Sequence, residues 1–416
     1  MSDLAISELK TMYGDYFNPS MIGTTREERA LHILKNPKSI KEIKSNVYVV
    51  KSQTGIGQYR VDFITESSEW KCNCPDYIQK KLKCKHIISV ELDLESKGIE
   101  INNVQLPSEW TLYNKAQMNE IELFDLFLHE LVNTVENEKN GAGRPKTPIQ
   151  DLLYCSIQKA YTQLSLRRGH ALLKREAETN KISHTLGVNA VSTFLNREDV
   201  TPLLRELLNL SASPMASIEE NFAVDSSGFR TTTYSEWCKE KHRTGKKNDW
   251  IKAHISTGAN TNIVTDMIVT ASNSADTKEF IPLVERTMET FDIHKVTADK
   301  GYLSRKNYDL GKTHDIDIFI PFKSNVTGKQ RGSKAWFDAF YFFKTNEEEF
   351  MKKYNERSNV ESTFGAIKKK FGDTLKSKNY TAQVNELYCK IIAYNITMLI
   401  QEMYMSQIDV CFDKKN

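Results

Sequence analysis

Apolar and polar positions alternate with a period of two at 45–50 and 59–64, which predicts two strands joined by a turn at Gly55-Ile-Gly57. From 102 to 220 the period becomes helical. Ile121, Phe124, Leu128, Val132 and Val135 recur on one face, with Asn119 placed to cap it, and further helices are expected near 149–163, 165–178, 188–196 and 199–209. Beyond 220, strands and helices alternate. Apolar runs at 221–225, 249–256, 262–271 and 294–298 read as strands, 276–290 as a helix, and 347–370 as one long helix. The longest apolar stretch, 387–400, is interrupted by Lys390 and Asn395, so no membrane span is expected. The pattern divides the chain into a polar lead-in (1–28), a small strand-and-helix module (29–101), a helical segment (102–220) and an α/β segment (221–416).

Composition narrows this picture little. With 39% hydrophobic and 27% charged residues, the 416-residue chain can bury cores and is neither disordered nor fibrous. Its start lacks the basic and apolar regions of a secretory signal, and seven cysteines in so long a chain argue for a reducing compartment, hence the cytoplasm. Net charge is only +3, but charge is segregated. Residues 119–139 are acidic, while 239–252 (Lys239, Lys241, Arg243, Lys246, Lys247, Lys252) and 364–378 (Lys368, Lys369, Lys370, Lys376, Lys378) are basic. Two cationic runs in one half of the chain fit a polyanion footprint as well as they fit a solvated surface.

Cys72, Cys74, Cys84 and His86 stand at the spacing C-x-C-x9-C-x-H. Three thiolates and one imidazole form a closed tetrahedral set suited to structural Zn²⁺, leaving no open position for a substrate. A module of this size has a thin core that a metal would reinforce. With Tyr59-Arg-Val-Asp-Phe63 before it and Ile87-Ile-Ser-Val90 after it, the stretch resembles the SWIM zinc finger, a ββα unit associated with DNA or protein binding. Cys155, Cys238, Cys389 and Cys411 have no ligand-like neighbours in the sequence.

Two apolar runs end in aspartate and are followed by glycine: Ala223-Val-Asp225-Ser-Ser-Gly228 and Thr297-Ala-Asp299-Lys-Gly301. Adjacent strands ending there would bring two carboxylates to one sheet edge, where a divalent cation such as Mg²⁺ would relieve their repulsion. On the expected 347–370 helix, Tyr354, Arg357, Glu361 and Lys368 fall within an arc of roughly 60°. A stripe of one aromatic, two cations and one carboxylate is no packing seam; it suits a phosphate and a metal.

The spacing Tyr354-x2-Arg357-x3-Glu361-x6-Lys368 resembles the signature of a large group of prokaryotic insertion-sequence transposases. Asp299-Lys-Gly-Tyr302, Val224-Asp225-Ser, Gly143-Arg-Pro145 and Trp250-Ile-Lys-Ala-His254 look like further motifs of that group, so the resemblance spans about 141–400. It implies a ribonuclease-H-like catalytic domain, here preceded by an all-α domain and the zinc module. It also implies an Asp225–Asp299–Glu361 triad holding two Mg²⁺ (or Mn²⁺) ions for in-line phosphoryl transfer. Only 62 residues separate Asp299 from Glu361, room for one strand, a loop and a short helix where some relatives carry a β-subdomain.

On this reading the chain binds the inverted-repeat ends of its element, cleaves them and joins their 3′-hydroxyls to target DNA, at least as a dimer. Arg357 and Lys368 would grip phosphate and Tyr354 orient or stack on a nucleotide. Lys252, His254 and the run Arg243, Lys246, Lys247 lie where DNA contacts are expected, with His254 equally readable as structural. The helices at 149–209 read equally as a helix-turn-helix or a plain bundle. Two alternatives stay open: a nuclease or resolvase of the same fold without strand transfer, and a domesticated DNA-binding protein without catalysis.

Overall fold

The computed structural model describes residues 26–34, 39–44, 47–51, 58–64, 69–97, 109–137, 146–231, 250–272, 274–355, 358–406, 408 and 410–412. They form a mixed α/β protein of two compact units, one of residues 1–124 with 399–411 and the other of 125–398 with 412–416.

In the first unit, α1 (Arg26–Leu34) precedes the strands β1 (Ile40–Lys44), β2 (Val47–Lys51), β3 (Gln58–Ile64) and β4 (Glu69–Cys72), which pair antiparallel in that order. The two expected strands are β2 and β3; the Gly55-Ile-Gly57 turn lies outside the described residues. The sheet has four strands where the ββα expectation had two. Lys41 and Glu42 leave β1 exposed, and β4 is four residues long, so neither carries a readable alternation. Helices α2 (Pro75–Lys80) and α3 (Lys85–Lys97) follow the sheet. Val50, Val61, Ile87, Val90 and Ile33 bury together around the three cysteines. Helix α1 begins inside the expected lead-in and packs on α3, with Arg26 paired to Asp76 at 2.6 Å.

Next come α4 (Glu109–Met118) and α5 (Glu120–Asn133). The buried face of α5 is Leu123, Phe124, Phe127, Leu128, Leu131 and Val132, whereas Ile121, expected inside, is 64% exposed. Both stripes obey helical spacing, and the one through the two phenylalanines buries more apolar surface.

The second unit continues with α6 (Ile149–Thr162), α7 (Leu166–Glu178), α8 (Ala190–Leu195) and α9 (Val200–Ala212), within a few residues of the expected helices. Its sheet is built of β5 (Asn221–Arg230), β6 (Trp250–Gly258), β7 (Val264–Ala271), β8 (Lys295–Ala298) and β9 (Asp317–Phe319), in the order β7-β6-β5-β8-β9. The first three run antiparallel; β8 and β9 run parallel to β5. Helix α10 (Phe280–Met288) packs on β6 and β7, and α11 (Arg305–His314) on β9.

Several buried polar groups inside this unit have partners. Arg205 on α9 donates to fully buried Asp266 on β7 through Nε (2.8 Å) and a terminal nitrogen (2.5 Å). The long helix α15 (Tyr380–Met405) carries the two polar residues that interrupt its apolar run, and both have partners. The Lys390 ammonium donates to the carbonyls of Gly372 (3.2 Å) and Thr374 (2.9 Å). The Asn395 amide bonds both backbone groups of Val264 at the start of β7. Among the described residues, no helix is long and apolar enough to cross a membrane.

The last stretch departs from expectation twice. Between Asp299 and Glu361 the chain places α11, β9 and α12 (Lys334–Thr345), one helix more than expected, before α13 (Glu347–Asn355). The expected long helix is two: α13 carries Tyr354, while α14 (Ser358–Phe371) carries Glu361 and Lys368. Three glutamates open α13 and two lysines close it, which suits a complete helix. Asn355, Ser358 and Asn359 favour caps over helix interiors. Arg357 lies outside the described residues.

Candidate catalytic carboxylates and metal centre

The parallel pairing of β5 with β8 runs through Val224↔Ala298, so Asp225 and Asp299 are the next residues on neighbouring strands. The expected juxtaposition holds, but for a different reason on each side. Strand β8 ends at Ala298, immediately before Asp299, which caps the following turn by accepting from the Gly301 amide at 2.6 Å. Strand β5 passes through Asp225 without turning and pairs with β6 as far as Arg230. Gly228, expected as a turn, is instead a strand residue under the Trp250 indole, where a β-carbon would come within 2.8 Å of the ring.

Helix α14 packs on β5. The Lys368 ammonium donates to the Ser227 hydroxyl at 2.7 Å and lies 5.1 Å from the Phe229 ring centroid. Asp225, Ser227 and Phe229 alternate onto one face of β5. The far end of the helix is fastened by backbone bonds between Arg230 and Asp373 (2.9 Å) and Leu375 (2.8 Å). Glu361 is two turns before Lys368, about 10 Å back along the axis. Its backbone therefore stands near the level of Asp225; its side chain lies outside the described residues. Half-burial lowers the Lys368 pKa from its ordinary value.

Asp276 joins this neighbourhood without any signature in the sequence. It pairs with the Lys252 ammonium and lies 4.0 Å from His254 Nδ1. A β-carbon on Gly301 would stand 2.7 Å from Asp299 Oδ1 and 3.0 Å from Asp276 Oδ2, so both carboxylates crowd this position and would have to shift for a larger residue. In the sequence Asp276 reads as a helix-start residue, which hides its second contact. His254 is fully buried, with Nδ1 2.9 Å from the Tyr302 hydroxyl and Nε2 3.0 Å from the Thr270 hydroxyl. Burial lowers its pKa to about 4, and it is surrounded on both nitrogens, which favours the structural of its two expected roles. Tyr302 is the hub. Burial first, opposed by a hydrogen bond with Ser226, and then the charges of Asp276, Asp225 and Asp299 push its phenol well above the ordinary value. Tyr354, half-buried on α13, lies on another helix from Glu361. Arg243, Lys246 and Lys247 lie outside the described residues, as does Gly143-Arg-Pro145.

The second candidate centre is local. Cys72 ends β4, Cys74 caps α2, and Cys84 and His86 flank the start of α3. All four are buried, and their ligand atoms lie within 4.8 Å of one another. His86 Nδ1 faces the sulfurs of Cys72 (3.9 Å) and Cys84 (3.8 Å), and its ring lies tilted against Tyr59 at 4.1 Å between centroids. Backbone amides of Cys74 and Tyr77 point at the Cys72 and Cys74 sulfurs, both at 3.4 Å. Burial raises the Cys72 thiol well above its ordinary value and lowers the His86 imidazole below its own. This donor set fits Zn²⁺. Among the described residues no other group of three or more Cys, His, Asp or Glu side chains converges so closely.

Residues 217–396 match the family described as transposase DDE domain, and residues 59–95 the SWIM zinc finger. No curated protein matches the chain. Among solved structures, the cryo-EM structure of a piggyBac transposase synaptic complex with hairpin DNA aligns with 73% of this chain and 82% of that one. Identity is 9% and the TM-score 0.28, a likeness too weak to carry an argument.

Proposed function

From a chain that carries a transposase DDE domain and a SWIM zinc finger, we propose an enzyme that cleaves the ends of a mobile DNA element and joins them to target DNA. The observation that carries this reading is the Val224↔Ala298 register, which seats Asp225 beside Asp299 while α14 is fastened along the same strand. The sheet order, with three antiparallel strands followed by two parallel ones, supports a ribonuclease-H-like fold. Glu361 completes the acidic set from the helix.

Asp225, Asp299 and Glu361 would hold Mg²⁺ or Mn²⁺, which when bound activates an attacking oxygen and stabilises a leaving one. The protein's own groups do the positioning. Lys368 offers its ammonium to a phosphate on the Asp225 face of β5, exchanging its bond to Ser227 for a charge-assisted one. Arg357 and the run Arg243, Lys246 and Lys247 supply further phosphate contacts, Tyr354 a nucleotide contact, and Lys252 a cation held by Asp276. Cys72, Cys74, Cys84 and His86 hold Zn²⁺ as a fold element of the recognition module. The substrates are double-stranded element ends and target DNA, and two ends require at least a dimer in the DNA complex.

The test incubates purified protein and Mg²⁺ with labelled DNA containing the element's ends, alongside an Asp225→Ala, Glu361→Gln variant. Metal-dependent cleavage with joined products, absent in the variant, is the expected result. Cleavage without joining would leave a nuclease, and end-binding without cleavage a non-catalytic DNA-binding protein.

A further inference from the structure

Helix α12 has two unlike faces. Inward, Trp336, Phe340 and Phe343 surround Phe322 at centroid distances of 5.0, 5.2 and 5.6 Å. The Arg305 guanidinium lies 4.5 Å from the centre of the Trp336 ring. The Ser333 hydroxyl accepts from the Trp336 amide (3.1 Å) and donates to Asp309 (2.6 Å), so the helix is anchored at its start. Outward, Phe337 and Tyr341 are 39% and 49% exposed, with ring centroids only 4.5 Å apart. Exposed Lys334 stands three residues before the pair and exposed Lys344 three after it. The four residues fall within an arc of roughly 80° over about 15 Å of helix. Exposed Lys323, Lys329 and Arg331 precede the helix, and Asp338 is the one acidic residue between 323 and 344.

We propose that this stripe binds a short unpaired stretch of DNA strand, its bases stacked on Phe337 and Tyr341 and its phosphates met by Lys334 and Lys344. Packing does not explain two adjoining aromatics held outward on a helix whose inner face is already complete. A protein partner with an apolar patch would not need the cations at both ends, whereas a polyanion with flat apolar bases matches both features. The stripe and the carboxylates belong to consecutive elements of the chain. Helix α11 starts six residues after Asp299 and packs on α12, and α13 links α12 to the helix carrying Glu361. The inference rests on the proposed reading of those carboxylates for its biological meaning, though its test does not.

The full-length protein in EDTA is titrated into labelled oligothymidine and, separately, a blunt duplex of equal length, with anisotropy as readout. Removing a stacking ring weakens single-strand binding about tenfold. The Phe337→Ala, Tyr341→Ala protein is therefore expected to lose oligothymidine affinity by that factor or more while duplex affinity holds. Phe337→Trp is expected to retain single-strand affinity, and 2-aminopurine within the strand to be quenched by the wild type alone. Unchanged oligothymidine binding, or equal losses on both DNAs, overturns the proposal. So does conversion of a wild-type dimer to monomer by the double substitution, which would show that the rings cover a second copy. The Mg²⁺ cleavage assay separates the two ideas: cleavage with no single-strand preference sinks the stripe alone, and single-strand preference without cleavage sinks the carboxylate reading alone.

Discussion

The zinc-finger cluster and the carboxylate pair solve the same problem, gathering ligands that repel or dislike burial, by opposite means. Cys72, Cys74, Cys84 and His86 come from 15 consecutive residues, and the turns between β4, α2 and α3 bring them together. Their pocket is closed, and its donor set suits a cation. Asp225 and Asp299 are 74 residues apart and meet only because β5 and β8 pair in one register. Their neighbourhood stays half-open and is shaped by paired charges: Lys252 with Asp276, Lys368 with Ser227. A local cluster depends on its metal, whereas a cluster assembled at long range depends on the sheet beneath it.

Removing zinc is the sharpest way to test that difference. Structural zinc contributes about 10 kcal/mol or more to small modules. Chelation, or Cys84→Ser, is therefore expected to abolish amide-exchange protection in β2–β4 and α3. Protection in β5–β8 is expected to survive, and loss in both would break the contrast. Asp266→Ala is the converse experiment. It leaves Arg205 without its buried partner and is expected to cost about 3–5 kcal/mol in urea unfolding of the sheet unit. Zinc content, measured by mass spectrometry, should be unchanged.

Gly301→Ala tests the carboxylate neighbourhood itself. A methyl group there would displace Asp299 and Asp276, for an expected loss of about 1–3 kcal/mol and of cleavage activity, with duplex binding retained. The smallest effect concerns His254. Its folded pKa of about 4 lies below the unfolded value, so the unfolded chain takes up the proton first and stability falls as pH drops from about 6.5 toward 4. Between pH 6 and 5 this amounts to about 1 kcal/mol. His254→Gln should flatten the difference in melting temperature between those two pH values.

Much of this was legible in the sequence. The zinc ligands are set by spacing within one turn-rich stretch, and short-range spacing is what a sequence displays directly. The helices of 149–212 and strands β2, β3, β6 and β7 follow from periodicity, and the two aspartates from apolar runs that must be buried. What the tertiary structure alone decided is of another kind. Asp276 and the fastening of α14 by Lys368 and Ser227 join residues distant in sequence whose types carry no joint signature. The passage of β5 beyond Asp225 depends on β6 being present to pair with Ser226–Arg230. The burial of Phe127 over Ile121 and the outward aromatic pair on α12 turn on which of two acceptable local patterns leaves less apolar surface in water. Local spacing and periodicity choose elements and ligand sets; the competition among faces for a shared core chooses the rest.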